Sequence, residues 1–433
     1  MDIVASVARY EKWLEKALEG DVNREDVEEK HKKMAAGPFP FLRGTYWRWA
    51  ETIYDPKVCP ELKRAPQVLS VGDIHVENFG TWRDMDGRLI WGVNDFDEAA
   101  VMPYLHDIVR LATSAVLADV PGITMETICK RILEGYEAGI ARPIPYILDR
   151  RHKKLRAVAI VSESDRKDFW TKFDPEQIRL GLEKEEAKKP EQRKRPKVRP
   201  ASFMLPKYQK ALDAAKPSET IEFDYYERTA GTGSLGRRRY FGVGEWLGDL
   251  VIREAKAIVL SGWHYARRTR GEPCCELIAT GTFRAPDPFY RLDGNVLLRR
   301  LSPNDFKIET EPKNKKAKAD KQQESHRLVK RSAVINDEAL HAMGRDIAAI
   351  HRATDTRNKI VEDFRTHETT WLLDAVRRAQ ARVEKDWHTW CEHYHAGTSA
   401  APQKAKKKTK KRRKQPEGAK KKAKKKKKSA KKG

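Results

Sequence analysis

Residues 71–80 read VGDIHVENFG, and residues 93–99 read VNDFDEA. Each run begins where a short strand-like segment ends, because the stretches 67–71 and 89–93 have the apolar composition of buried strands. Polar side chains that follow two neighbouring strands can converge on one point. The two runs therefore predict a site built from loops at strand ends.

The chemistry that these residues suit is magnesium-assisted phosphoryl transfer. One carboxylate accepts a hydroxyl proton, while an amide and a second carboxylate hold the metal on the phosphates. In protein kinases the catalytic-loop Asp and Asn have the separation of Asp73 and Asn78, and the metal-binding Asp precedes Phe, as Asp95 does. We expect Asp73 to be the general base, Asn78 and Asp95 to bind magnesium, and Asp97 to be an accessory ligand. The alternative is that all four are turn residues at strand ends, where Asp and Asn are common.

Two nearby residues are expected to support the loop rather than to react. Asp107 has the place of a buried Asp that braces the catalytic loop in kinase-like phosphotransferases, and an ordinary helix N-cap is an equal alternative. His75 is interpreted as a loop-organising residue. The pair Asp73-x-His75 also opens the motif of metallophosphoesterases, which use two metals to activate water. The Gly-Asn-His or Gly-Asn-Asp element that those enzymes need is missing from the sequence.

A glycine-rich run, GTGSLG at residues 231–236, forms a second cluster. A dinucleotide-binding fingerprint needs a helix directly after such a run, but residues 237–243, RRRYFGV, are strand-like. A glycine-rich hairpin over phosphates fits better, and an ordinary turn is the alternative. The residues expected at the nucleotide are Gly231, Gly233, Ser234 and Gly236.

The strand expected at residues 250–257 offers the cation that kinase-like enzymes place on the α and β phosphates. Arg253 and Lys256 both qualify, and Lys256 is slightly preferred because lysine is the usual residue. An acid on the next helix should orient that cation, and Glu276 is the best candidate. A solvated glutamate on a helix surface is the alternative for Glu276.

The order of these parts is inverted relative to a kinase, in which the glycine-rich loop and the lysine precede the catalytic loop. The helical segment 340–352 also resembles the helix that precedes the catalytic loop in aminoglycoside phosphotransferases, yet it comes near the end of this chain. A circular permutation accounts for both observations. The expected fold is α+β: a two-lobed, circularly permuted protein-kinase-like fold with a disordered basic C-terminal tail. Its expected parts are an N-terminal helical extension (1–35), the first part of a helical catalytic lobe (36–224), a β-rich nucleotide-binding lobe (225–310), helices completing the catalytic lobe (325–400) and the tail (401–433).

These runs together resemble an uncharacterised bacterial family of unknown function, generally grouped with the protein-kinase-like and aminoglycoside phosphotransferase superfamily. The resemblance spans about residues 30–360, and the two acidic runs are its most specific part. It extends to Pro38-Phe39, Arg43-Gly44, the glycine-rich run and Arg253-Glu254-Ala255. It implies a kinase-like fold without indicating what is phosphorylated. Family members often have Lys at the position of Arg253.

Most of the net charge of +25 lies at the C-terminus. Residues 404–433 contain 19 Lys or Arg and one acid, Glu417, so they carry +18 of it. Such a run repels itself and cannot bury apolar surface, so we expect it to be disordered and to bind nucleic acid or another polyanion without reading sequence. Residues 183–200 and 313–323 are also rich in charge and are expected to be exposed loops.

Other features of the sequence concern its compartment. The five cysteines contain no C-x-x-C pair, which fits a reducing compartment and argues against a structural zinc site. The first residues lack the apolar segment of a signal peptide, and no stretch of about 18 apolar residues is present. We therefore expect a cytoplasmic protein without a membrane span.

The sequence favours a phosphotransferase that uses Mg²⁺ and ATP to phosphorylate a hydroxyl group on a small molecule or a protein. One alternative is a catalytically inactive kinase-like scaffold that binds nucleic acid or another polyanion through its Lys-rich tail. A metallophosphoesterase is a less favoured alternative. A binding module has no need for Asp73, Asn78 and Asp95 together, so these three residues separate the enzyme from the scaffold.

Overall fold

The computed structural model describes residues 2–120, 122–308 and 334–399. The expected loop at 313–323 and the expected tail at 401–433 lie outside the described residues. Within them the chain is α+β, as expected, with 49% helix and 15% strand. None of the helices in these ranges combines the length and the apolar composition that crossing a bilayer requires.

The largest sheet contains six antiparallel strands in the order β10-β11-β9-β8-β7-β6. The glycine-rich run lies in the connection between β7 and β8, so the expected hairpin is present. The strands are β6 Val198–Pro200, β7 Asp224–Arg228, β8 Arg239–Trp246, β9 Asp249–Ala257, β10 Arg291–Asp293 and β11 Val296–Arg300.

Two small sheets carry the acidic runs. One pairs β1 with β4, and the other has the order β2-β3-β5. The run 71–80 follows β1 and continues into β2, while the run 93–99 joins β3 to β4. The strands are β1 Gln67–Ser70, β2 Phe79–Arg83, β3 Leu89–Val93, β4 Ala100–Pro103 and β5 Tyr146–Ile147.

Helices supply most of the core and cover these sheets. Before β1 they are α1 Ile3–Ala17, α2 Arg24–Ala35, α3 Pro38–Gly44 and α4 Tyr46–Thr52. Between β4 and β7 they are α5 Leu105–Leu117, α6 Met125–Ala141, α7 Lys153–Ala159, α8 Glu163–Phe173, α9 Pro175–Glu186 and α10 Pro206–Asp213. After β9 they are α11 Gly262–Arg267, α12 Cys275–Ala279, α13 Asp337–His351, α14 Arg357–Arg365 and α15 Trp371–Ser399.

The closest helix packing joins α6 to α13. A methyl group at Gly135 of α6 would lie 1.9 Å from the carbonyl oxygen of His341, and one at Gly344 of α13 would lie 2.1 Å from that of Ile132. Only glycine allows two backbones to approach so closely. This contact fixes the late helix α13 against α6, a helix from the first half of the chain.

The segment expected to be an exposed loop at 183–200 is partly regular. Helix α9 continues to Glu186, and Val198–Pro200 pairs with β7 as an edge strand. The charged composition hides this pairing because an edge strand has one solvated side and needs little apolar surface. Ion pairs add to the apolar packing of Val198 there, since Arg199 contacts Glu227 at 2.8 Å and Arg195 contacts Asp26 at 2.7 Å.

Candidate functional site

Asp107 holds the loop that follows β1. It lies in the first turn of α5, is fully buried, and accepts hydrogen bonds from the backbone amides of Val71 at 2.7 Å and Gly72 at 3.0 Å. Gly72 has φ +81, and a methyl group there would lie 2.2 Å from the carbonyl oxygen of Glu98. Sequence and contacts thus fix the conformation of the backbone that leads into Asp73.

Two histidines complete the surroundings of Asp107. The ring of His106 lies 3.3 Å from one carboxylate oxygen, and the ring of His351 lies 3.1 Å from the other. Burial opposes ionisation of this carboxyl, but hydrogen bonds from the two histidines outweigh it and hold the pKa of Asp107 well below its usual range. His351 belongs to α13, so the late helix directly supports the early loop.

Asp73 is paired with a buried arginine. Arg110, one turn after Asp107 on α5, donates to the Asp73 carboxylate and, at 3.0 Å, to the carbonyl oxygen of Leu42. Burial raises the pKa of Asp73 to about 6, with Arg110 opposing the increase and Glu98 adding to it. Its side chain keeps 16% exposure, so a reactant can reach the carboxylate. A group with this pKa can accept a proton near neutral pH.

Asn78 connects the first acidic run to the second. Its side-chain amide donates to the carbonyl oxygen of Asp73 at 2.7 Å, and its own carbonyl oxygen accepts from the amide of Asn94 at 3.0 Å. The pairing of Phe79 with Val93 in the β2–β3 ladder sets this register. Asp95 therefore directly follows Asn94, whose backbone amide donates to the backbone carbonyl oxygen of Asn78.

Asp95 and Asp97 face the lysine of β9. The Nζ atom of Lys256 lies 3.6 Å from Asp95 Oδ1 and is also paired with Asp97. Burial opposes ionisation of Asp95, but the charges of Lys256, Lys307 and Arg299 outweigh it and hold the pKa of Asp95 well below its usual range. Burial and the neighbouring Asp95 raise the pKa of Asp97.

The two candidate cations of β9 lie on opposite faces of the sheet. Lys256 contacts the two carboxylates, whereas Arg253 donates to the carbonyl oxygen of Ala215 at 3.0 Å and stacks 4.3 Å from the ring of Phe289. Side chains three positions apart on a strand point to opposite faces. Lys256, and not Arg253, thus contacts Asp95 and Asp97, which together with Asp73 we call the acidic cluster.

Glu276 contacts a backbone amide of β10 and is not among the ion-pair partners of Lys256 in the described residues. It is on α12 and accepts a hydrogen bond from the backbone amide of Leu292 at 3.3 Å. Among the described residues, the acids that contact Lys256 are Asp95 and Asp97. The expected place of Glu276 rested on helix order alone, which does not give the direction of a side chain.

The glycine-rich run packs directly on Asp73. Gly231 and Gly236 have φ +74 and +98, which favours glycine, and a methyl group at Gly233 would lie 3.0 Å from Asp73 Oδ2. Ser234 accepts a hydrogen bond from Arg239 at 3.0 Å. Gly233 is therefore the residue of the run that contacts Asp73, whereas Gly231 lies near Ser234 and Arg239, and Gly236 lies against Val27 of α2.

A lysine of α2 holds this run in place. The buried Nζ atom of Lys30 donates to the carbonyl oxygen of Gly233 at 2.9 Å and lies 4.9 Å from the ring centre of Trp47. The backbone of Asn23, just before α2, donates to the carbonyl oxygen of Gly236 at 3.0 Å. The N-terminal helices thus belong to the site and do more than cover the surface.

His75 lies inside the loop. Its ring nitrogens are 3.2 Å from the amide of Glu77 and 3.3 Å from Arg43 Nε. Burial and the charges of Arg43 and Arg110 hold the pKa of His75 well below its usual range, so the ring is neutral. The ring of His75 thus connects Glu77 of the loop with Arg43 of α3.

Several residues of the site were not singled out from the sequence. Glu98 accepts from Arg237 at 2.5 Å and from the amide of Gly262 at 2.5 Å, which ties the second acidic run to the glycine-rich hairpin and to α11. Arg110 could have been found, because it lies three positions after Asp107 and therefore on the same helix face. Lys30 carries no such signal, since it lies in a run of alternating charges.

The oxygen atoms of Asn78, Asp95 and Asp97 are the donors that magnesium prefers. Asp97 Oδ1 is buried and has no hydrogen-bond partner among the described residues, which leaves one carboxylate oxygen for a cation. In the part of the chain that the structure describes, no three His, Cys, Asp or Glu side chains form a group that could hold a metal. Magnesium commonly uses one or two carboxylates together with phosphate and water, so the residues present fit such an ion.

A separate cavity of about 360 Å³ lies between α1 and α11. Its lining includes Arg9, Trp13, His264 and Arg268 and contains no acid. It has none of the groups of the acidic cluster, so it offers no alternative place for the chemistry that these groups can perform.

Comparison with known proteins gives one match. No curated protein matches the chain, and no solved structure does. A family described as "Uncharacterized protein conserved in bacteria (DUF2252)" matches residues 23–273, which contain both acidic runs, the glycine-rich run and Lys256. The match covers more than half of the chain, and the chain therefore belongs to this family.

Proposed function

We propose that this protein is a kinase-like phosphotransferase that uses Mg-ATP to phosphorylate a hydroxyl group of a small molecule or a protein. The observation that carries the proposal is that Asp73 lies against Gly233 of the glycine-rich hairpin and within the electrostatic influence of Asp95, which together with Asp97 contacts Lys256. Phosphoryl transfer depends on positioning and on charge stabilisation, and these are the groups that provide both.

Each residue has a distinct role in this proposal. Asp73 orients the acceptor hydroxyl and takes its proton, and Arg110 fixes the carboxylate. Asn78, Asp95 and Asp97 hold magnesium, which when bound neutralises charge on the phosphates. Lys256 contacts the α and β phosphates, and the backbone of the glycine-rich run covers them. Asp107 and His75 are positioning residues that act through the loop.

The arrangement of the chain supports a two-lobed, circularly permuted kinase-like fold. The sheet presents a strand, a glycine-rich turn, a second strand and a third strand with the lysine, which is the order that kinases use. Helix α13, late in the chain, contacts Asp107 through His351, and Thr354 accepts from the amide of Leu69 at 3.0 Å. A helix that precedes the catalytic loop in an unpermuted chain would need these contacts.

A second candidate function is polyanion binding by residues 404–433, favoured by their charge of +18. This function is compatible with an active or an inactive core. A metallophosphoesterase is not favoured, because the two ring nitrogens of His75 lie against the amide of Glu77 in the loop and against Arg43 Nε of α3. We further propose a cytoplasmic location, which the five free cysteines support.

The proposal is tested by calorimetric titration of the full chain with ATP, with and without magnesium. Magnesium lowers the charge of ATP, so binding to the Lys-rich segment weakens when it is added, whereas the acidic cluster should bind about tenfold more tightly or better. Asp95→Asn should abolish this gain. Asp293→Asn, an exposed residue of β10, is the matched control and should retain it.

Transfer itself is tested with the Asp73→Ala variant. ATP consumption and phosphate transfer should fall about 10²-fold or more without loss of magnesium-dependent binding. Transfer that continues undiminished in both Asp73→Ala and Asp95→Asn would contradict the assignment of the site. Absence of magnesium-dependent binding in the unmodified chain would favour the scaffold.

A further inference from the structure

One face of the large sheet carries a concentrated set of cations next to the acidic cluster. Glu254 lies two positions before Lys256 on β9, hence on the same face, and it is fully buried. Three arginines from other strands of the sheet contact it: Arg228 of β7 at 2.5 Å, Arg239 of β8 at 2.9 Å and Arg299 of β11 at 2.7 Å. We call Arg228, Arg239 and Arg299 the arginine face.

The arginine face has more positive charge than its own acid can balance. Three guanidinium groups share the single carboxylate of Glu254, and Lys256 adds a fourth cation that is shared with Asp95 and Asp97. The side chains of Arg228 and Arg299 keep 22% and 27% exposure, so an anion can reach them. Guanidinium groups bind phosphate oxygens in pairs, which makes phosphate the natural ligand of such a surface.

The arginine face is also connected to the groups proposed to handle phosphate. Arg239 donates to Ser234 in the glycine-rich run at 3.0 Å. The charges of Asp95 and Asp97, together with that of Glu254, raise the pKa of Arg299 against the effect of burial. A chain of phosphates beneath the hairpin would therefore meet the arginine face directly beyond Lys256.

The apolar part of the same face is already occupied. Tyr226, Phe241 and Ile252 form a cluster with Phe173 and Ile178, which belong to α8 and α9. The ring of Tyr226 stacks on that of Phe241 at 5.1 Å, and the ring of Phe173 contacts Phe241 edge-on at 5.2 Å. A nucleobase needs an apolar or aromatic surface to stack on, and in the described residues this face uses its own internally.

We propose that the arginine face binds the polyphosphate chain of the nucleotide and that the nucleobase is not recognised there. This inference rests on the proposed function and specifies its ligand chemistry: a linear polyphosphate, with or without a nucleoside attached. The protein then binds ATP, GTP and inorganic tripolyphosphate with similar affinity, and binding of adenosine is not detectable.

The experiment measures calorimetric affinities of the full chain for ATP, GTP, tripolyphosphate and adenosine, with magnesium present. Arg299→Gln and Arg228→Gln each leave Glu254 with two arginine partners, so the fold is expected to survive, and circular dichroism verifies it. Each should weaken all three phosphate ligands by about tenfold, the effect of one lost charge-assisted contact. Arg299→Lys, which keeps the charge but not the paired donors, should lose only part of this affinity.

Arg300→Gln is the matched control. Arg300 is the next residue of β11, has a side chain of similar exposure at 26%, and points to the opposite face, where it contacts Asp287 and the carbonyl oxygen of Arg83. The Arg300→Gln variant should bind all four ligands with the affinities of the unmodified chain. Because every variant carries the same Lys-rich segment, the difference between Arg299→Gln and Arg300→Gln measures the arginine face alone.

The outcomes separate this inference from the proposed function. One result would overturn the inference and leave the phosphotransferase proposal intact: magnesium-dependent binding of ATP at least tenfold tighter than that of GTP and of tripolyphosphate. Equal effects of Arg299→Gln and Arg300→Gln would also overturn it. Tripolyphosphate binding that needs the arginine face but not Asp95 would support the inference and contradict the proposed function.

Discussion

The surroundings of the individual carboxyl groups in the site shift their pKa values in opposite directions. Asp73 and Asp95 are both acids in loops, yet burial raises the pKa of Asp73 to about 6, whereas three cations outweigh burial and lower that of Asp95. Carboxylates with pKa values pushed apart in this way suit different tasks, one as a base and the other as a permanently charged ligand.

The pH dependence of transfer follows from Asp73. Its carboxylate must be ionised to accept a proton, so kcat/KM is expected to rise with pH through about 6 and to level off above it. The measurement is kcat/KM for ATP consumption across pH 4 to 9, an interval chosen to span the usual Asp range near 4 as well. An acid limb near 4 would mean that Asp73 is not buried as described.

Asp107 should matter for stability as well as for the loop. Asp107→Asn replaces a carboxylate that is bound to two amides and two histidines, and it should lower the free energy of unfolding by about 3 kcal/mol at neutral pH in urea denaturation. Because the pKa of Asp107 is lowered in the fold, its contribution is present above the unfolded value of about 4 and is lost as pH falls through the folded value. The difference from the unmodified chain should therefore narrow in acid.

A surface acid provides the control for this change. Asp374→Asn on α15, with a side chain 47% exposed, should alter stability by no more than about 0.5 kcal/mol. An equal effect of both substitutions would show that the buried, hydrogen-bonded Asp107 contributes no more to the free energy of unfolding than an exposed acid does.

At the scale of elements, α2 and the glycine-rich hairpin form one unit. Lys30 reaches the carbonyl oxygen of Gly233, and Asp26 accepts from the hydroxyl of Thr229 at 2.9 Å. The hairpin covers Asp73 in this arrangement, so access to the carboxylate depends on how firmly α2 holds the run.

Removal of the lysine contact should loosen the hairpin. Lys30→Met keeps a long apolar stem beside Trp47 but removes the donor to Gly233, so the amides of residues 231–236 should exchange about tenfold faster in hydrogen-exchange mass spectrometry. Lys32→Met, at a position 65% exposed on the same helix, should leave their exchange unchanged. Unchanged exchange in both variants would mean that the hairpin is held by its own contacts.

Much of the element pattern could be predicted from the sequence. The strands at 67–70 and 89–93, the hairpin around 231–236 and the late helix have local signals in composition and period. The sequence could not show whether Arg253 or Lys256 faces the site. Both are cations, and only the register of β9 decides which of them lies on that side of the strand. Glu98 and Lys30 were missed because their partners lie more than 130 positions away in the chain.

At the scale of the whole molecule, charge separates the core from the C-terminal segment. Residues 404–433 carry +18, and helix α15 ends before them at Ser399. We therefore expect these residues to bind nucleic acid without a contribution from the acidic cluster.

Binding of duplex DNA should follow from that segment alone. The full chain should bind in a sequence-independent manner, with log K falling linearly with log salt at a slope of about −0.9 for each phosphate contacted. A chain that ends at residue 403 keeps every described contact and should lose most of this affinity, measured by fluorescence anisotropy. Retained affinity in the shorter chain would place the DNA-binding surface on the core, and Arg300→Gln and Arg299→Gln would then show which face it uses.

The pairing of β11 with β9 limits how the protein can be divided. The family match ends at residue 273, after β9 but before β10 and β11. A chain cut at that point would remove the partners of the backbone groups on the β11 side of β9, those of Ile252, Glu254 and Lys256. It would present a bare strand edge able to recruit other chains, so fibrous or insoluble material is expected. The matched region is thus smaller than the region that folds, and its end at residue 273 is no guide to the smallest protein that can be prepared.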